Sequence, residues 1–251
     1  MVYKFFVFLL SMFLFVNNAH SKNIDIFYSE KKTYHNYNGI INNTITHLTN
    51  QYKFNKNQSI KVFININKKN KKQPYSQISE NECFVNINLI NDNPIIFKNF
   101  QYDLEFLLVH ELGHCYYGVE HIKKRKINFN INQQKDLNLE SFIYQKKDSN
   151  KCRYCFQEFS FDPFIAYSEL LSDIFAINYF IETKKQSYDL ILDIYNYRNI
   201  NFKKTNKNTN YISNIFIENY YFFKKNEVLT ESEIQIKSQE TLLYFINEHN
   251  K

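Results

Sequence analysis

Apolar and polar residues alternate in two rhythms along this chain. Over Asn23–Tyr28, Ser59–Asn67 and Glu82–Ile90 the period is two, which predicts half-buried strands. The second segment is marked by Ile60, Val62, Phe63, Ile64 and Ile66, the third by Phe84 or Val85 with Ile87 and Leu89. Between the first two, Ile40, Ile41, Thr44, Ile45 and Leu48 recur at helical spacing and predict a helix over Tyr34–Tyr52 that runs through Gly39. Lys68–Lys72 reads as a solvated loop, and Pro94 closes the third strand. A helix follows, with Asp103 as its N-cap and Gly118 just past its end. Val119–Phe161 has no sustained period and predicts loops, with room for a short hairpin or helix. Asp162-Pro163, an N-cap residue followed by a first-turn proline, restarts order in a helix over Phe164–Lys184. Three more helices are predicted over Ser187–Tyr197, Tyr211–Lys225 and Thr230–Glu248, with a polar loop at Lys203–Asn210. The last opens on the capping box Thr230-x-x-Glu233. Strand, helix, strand, strand, helix and then helices alone predict an α+β fold: a small mixed sheet packed on the Asp103 helix, with a mainly helical C-terminal lobe.

The N-terminus follows neither rhythm. Lys4 precedes an apolar run from Phe5 to Val16, too short to span a bilayer comfortably, and Ala19-His20-Ser21 is a small-x-small cleavage pattern. Residues 1–21 are therefore expected to be a signal peptide, and residues 22–251 a single exported domain, periplasmic or secreted, without a membrane span. An uncleaved N-terminal anchor is the alternative. The formal net charge is +6, carried almost wholly by lysines scattered among Asn, Ile, Tyr and Phe. Without an Arg-rich stripe, this points away from nucleic acid. The four cysteines, Cys83, Cys115, Cys152 and Cys155, are an even set in an exported chain, which favours two disulfides. Cys83–Cys115 with Cys152–Cys155 is the preferred pairing, although Cys152-x-x-Cys155 also has the spacing of half a structural zinc site.

The chemistry concentrates at His110-Glu111-Leu112-Gly113-His114, which an apolar run enters from Phe106. Residues four apart lie on one helix face, so the imidazoles of His110 and His114 can meet one metal ion. Glu111 lies one step round the helix, placed to polarise a water without being a ligand. Zinc suits neutral imidazoles and keeps one position open in catalytic sites. A third ligand is needed, and two residues qualify. His121 is seven residues beyond His114, one too many for the HExxHxxGxxH spacing of metzincins. The Met-turn of that family also has no counterpart, because Met1 and Met12 both lie in the predicted signal. Glu169 is the second candidate. It shares a helix face with Asp173, in a segment rich in Phe, Ile and Leu where an unpaired charge would be costly.

Ser168-Glu169-Leu170-Leu171-Ser172-Asp173 resembles the Asn-Glu-x-x-Ser-Asp segment of thermolysin-like gluzincins. With the HExxH stretch, the resemblance covers roughly residues 100–180. It implies a zincin-like fold, zinc held by His110, His114 and Glu169, Glu111 as general base, and Asp173 bonded to a zinc-bound imidazole. Ser168 stands where the family has Asn, the linker between the motifs is longer, and the chain is shorter, so a compact member is implied. No motif locates the family's transition-state-stabilising Tyr and His. Tyr144, Tyr167 and His249 are available without support. The expected activity is zinc-dependent hydrolysis of peptide bonds in a protein or peptide substrate. The alternative is a protease-like binding protein that holds zinc but is catalytically silent. An extended substrate is expected to add as a strand beside Glu82–Ile90, at the edge of the cleft.

Overall fold

The computed structural model describes residues 24–29, 31–66, 74–79, 81–89, 95–124, 163–184, 187–205, 208–222 and 228–249. The predicted signal peptide, Tyr144, Cys152, Cys155 and Asp162 lie outside them. Contacts divide the chain into two compact units: residues 1–94 with 99–116, and residues 95–98 with 117–251.

The first unit holds β1 (Ile24–Tyr28), α1 (Lys31–Gln51), β2 (Ser59–Ile66), β3 (Tyr75–Ile78), β4 (Glu82–Leu89) and most of α2 (Phe100–Lys124). The strands form one sheet in the order β1-β2-β4-β3. β1 and β4 run parallel to β2, and β3 is antiparallel to β4. Parallel neighbours require a crossover, which α1 supplies between β1 and β2. The register lines up Ile24, Ile60 and Cys83 in one row and Ile26, Val62 and Val85 in the next, followed by Ile64 with Ile87 and Ile66 with Leu89. All ten side chains are buried. A slip of one residue would turn that whole face outward, so burial itself fixes the pairing. On the opposite face Phe27, Phe63 and Phe84 stack at centroid spacings of 4.9 and 6.4 Å. Lys61 lies 5.2 Å over the Phe84 ring and pairs with Glu82 at 2.8 Å. Phe63, read from sequence as one of the strand's apolar markers, thus points away from the buried row.

The three predicted strands are present, as far as residues 23, 67 and 90 at their ends allow, since those lie outside the described set. β3 is an addition that the sequence pattern does not predict. Its four residues alternate exposed and half-buried, so no apolar rhythm betrays it. It forms because the Ser79–Glu82 turn folds it onto β4: the Ser79 N–H donates to the Glu82 carbonyl at 2.8 Å, and the Glu82 N–H to Ser79 Oγ at 3.1 Å. This corrects the expected edge: β4 is an inner strand, flanked by β2 and β3.

α1 buries Ile41, Thr44, Ile45 and Leu48, as its spacing predicts, and starts earlier than expected, at Lys31. α2 corrects two expectations. Its cap is Asn99, whose Oδ1 accepts from the N–H groups of Gln101 (2.9 Å) and Tyr102 (3.4 Å). Asp103 instead sits buried in the first turn, where a negative charge favours the positive end of the helix dipole. Nor does Gly118 end α2. The helix continues to Lys124, carried past the glycine by the burial of Cys115, Tyr117 and Gly118 itself, since packing overrides weak local propensity. Cys83 on β4 is joined to Cys115 on α2, with Cα atoms 5.7 Å apart. The preferred pairing of these two cysteines is therefore present.

The second unit is helical: α3 (Pro163–Thr183), α4 (Ser187–Thr205), α5 (Asn208–Phe216), a π-helical stretch (Ile217–Phe222) and α6 (Glu231–His249). α3 is buried without a break from Leu170 to Phe180, as expected of a helix apolar all round. It packs on α4, α5 and α6. Its Asn178 amide donates to the Leu229 carbonyl at 2.8 Å and accepts from the Leu229 N–H at 3.3 Å, pinning the approach to α6. α4 runs beyond the predicted Tyr197, and α5 begins before the predicted Tyr211, so most of the expected loop at 203–210 is helical. The Thr230 capping box is in place: Thr230 N–H meets Glu233 Oε2 at 2.9 Å, and Glu233 N–H meets Thr230 Oγ1 at 3.4 Å. The architecture is α+β, with a four-stranded mixed sheet among six mostly long α-helices in the described residues.

Candidate metal centre

α2 is buried from Asp103 to Cys115. Leu104, Phe106, Leu108, Val109 and Leu112 fill the surroundings of the motif. Polar side chains in such a segment need partners or a function. His110, Glu111 and His114 are only 5%, 5% and 7% exposed. The imidazoles follow the i, i+4 rule: their centroids are 4.9 Å apart with planes at 89°. Phe106, one turn before His110, lies nearly parallel to its ring at 6.1 Å, which limits how that imidazole can turn.

On α3 the carboxylates of Glu169 and Asp173 are one turn apart. Glu169 is half-buried and Asp173 is 1% exposed. One His110 nitrogen, one His114 nitrogen and one Glu169 oxygen all lie within 4.8 Å of one another, a group that could hold a metal ion. Two imidazoles and a carboxylate form an N,N,O donor set suited to a divalent transition metal. The predicted ligands are thus together.

Asp173 has a partner that sequence reasoning did not supply. Arg198 on α4 donates from Nη2 to Asp173 Oδ1 in a short ion pair whose side chains are 13% and 1% exposed. Burial tends to lower the Arg198 guanidinium, but Asp173, and less strongly Glu169, outweigh that and hold it firmly protonated. The only available signal was compositional. Arg198 is one of three arginines among 31 basic residues, used where a planar fork serves better than a lysine.

Tyr167 is buried and hydrogen-bonded to Gln239 of α6. Burial pushes its phenol up to about 12 against that hydrogen bond, so the side chain belongs to the helical core. His121 and His249 fall in the last turns of α2 and α6, and their side chains lie outside the described residues. No family model, no curated protein and no solved structure matches the chain, so the site must be read from its own geometry.

Proposed function

We propose that this chain is an exported zinc-dependent peptidase with a compact, gluzincin-type, zincin-like fold. The observation that carries the reading is the convergence of His110, His114 and Glu169 on one point, with the buried acid Glu111 between the two histidines. Zinc is the ion of choice because it accepts two imidazoles and a carboxylate and leaves a position for water. Continuity of α2 favours Glu169 over His121 as third ligand: eleven residues of unbroken helix set His121 about 16 Å along the axis from His110, too far for both to reach one ion.

Zinc held by these three residues would supply Lewis-acid chemistry, polarising a peptide carbonyl and lowering the pKa of water to about 7. Glu111 is the general base: its carboxylate takes the proton as water attacks the carbonyl carbon, then delivers it to the departing amine. Asp173 orients a ligating imidazole, fixing its tautomer. An extended peptide is the substrate, and β3 takes the role expected of β4, since it is the terminal strand on that side of the sheet. The Cys83–Cys115 disulfide fits an oxidising compartment. No helix among the described residues is long and apolar enough to cross a membrane.

The test is a peptide-library digestion by the zinc-loaded protein. Cleavage that chelation removes and zinc restores is expected. A protein that holds zinc and cleaves nothing would instead be the silent binding protein.

A further inference from the structure

We propose that Arg198 is a positioning residue of the metal centre, fixing the Asp173 carboxylate in place and offsetting its repulsion of Glu169. The inference rests on the metal-binding reading above. Glu169 and Asp173 are like charges at i and i+4, a spacing at which they repel and would drive each other's side chains apart. Asp173 is buried and Glu169 half-buried, so water screens that repulsion only in part. A cation must therefore accompany the pair, and Arg198 meets Asp173 directly through Nη2. Glu169 also contributes to the field at the guanidinium.

The place of Arg198 is itself set. The Asn214 side chain of α5 reaches α4 on either side of it: with its amide turned so that both ends find partners, the nitrogen donates to the Tyr195 carbonyl at 3.3 Å and the oxygen accepts from the Asn199 N–H at 3.2 Å. Asn214 is buried, so the turn of α4 that presents Arg198 is gripped by a neighbouring helix. The order of support runs from Asn214 to Arg198, then to Asp173 and Glu169 on α3. Arg198 is also the sole arginine among the described residues, although the chain is rich in lysine. A lysine would keep the charge but lose the fixed direction of the guanidinium fork.

The zinc affinity of metal-free protein, measured by chelator competition, tests this in wild type, Arg198→Gln, Arg198→Lys, Asp173→Asn and the Asp173→Asn/Arg198→Gln pair. Circular dichroism of each metal-free variant checks folding. Arg198→Gln should bind zinc about 10- to 100-fold more weakly, the scale typical of groups that orient metal ligands. Arg198→Lys should recover part of that loss, and stands in if the glutamine variant does not fold. The pair should be no weaker than its more damaging single member, because Arg198 acts through the carboxylate that Asp173→Asn neutralises. Affinities of Arg198→Gln or Arg198→Lys equal to wild type would overturn the proposal. So would losses that simply multiply in the pair. Wild-type protein that fails to bind zinc at all would instead sink the metal-binding reading, and this inference with it.

Discussion

Glu111 and Glu169 are the same residue type on two buried helices, yet their tasks are separable. In the proposed mechanism Glu111 handles a proton and should not be needed to hold the ion. Glu111→Gln is therefore expected to bind zinc as wild type does while peptide cleavage falls by roughly 10²- to 10⁴-fold, the usual worth of a general base. Stopped-time digestion assays alongside metal analysis would measure both. Equal cleavage by the variant would remove Glu111 from the mechanism. At this scale the sequence was informative wherever chemistry depends on local spacing. The four-residue intervals from His110 to His114 and from Glu169 to Asp173 each define a helix face without knowledge of the tertiary fold. Arg198 was not legible, because its partner lies 25 positions away and nothing local distinguishes it from a surface cation. Nor was Asn99 as the cap of α2: Asp103 has the same capping chemistry and stands nearer the motif, and only the observed hydrogen bonds separate them.

Among the elements, α1 and α6 allow direct checks of how local sequence stabilises them. Gly39 lies inside α1, is exposed, and a Cβ added there would meet nothing within 4 Å. Gly39→Ala should therefore stabilise the protein by about 0.5–1 kcal/mol in denaturant melts, since it removes the conformational freedom of glycine from the unfolded chain. Thr230→Ala should cost about 1 kcal/mol by losing the reciprocal bonds of the capping box. Strands β1, β2 and β4 and helix α1 were readable because each carries its own apolar period, whereas α3 and α6 were marked by their N-terminal signals, Pro163 and the Thr230 capping box. β3 was not, because an edge strand with no buried residue has no such period and forms only against a partner. Helix ends fared worst: α2 passes Gly118, where the burial of Tyr117 and Gly118 outweighs the local stop signal, and α4 passes Tyr197.

Across the whole molecule, the α+β class followed from the order of the elements, and Cys83–Cys115 was half of the preferred pairing of the four cysteines. The disulfide closes a separation of 32 residues, which in the chain-entropy picture stabilises the fold by roughly 4 kcal/mol. The Cys83→Ala/Cys115→Ala variant should lose stability of that order, and a melt unchanged by the substitutions would contradict that contribution. The central claim is that residues far apart in sequence grip one ion. Quantifying zinc per chain after purification without an affinity tag tests it most directly, in wild type and in Glu169→Ala. The account predicts close to one zinc per wild-type chain and, after equal dialysis, a small fraction of that in the variant. Full zinc occupancy in Glu169→Ala would contradict it.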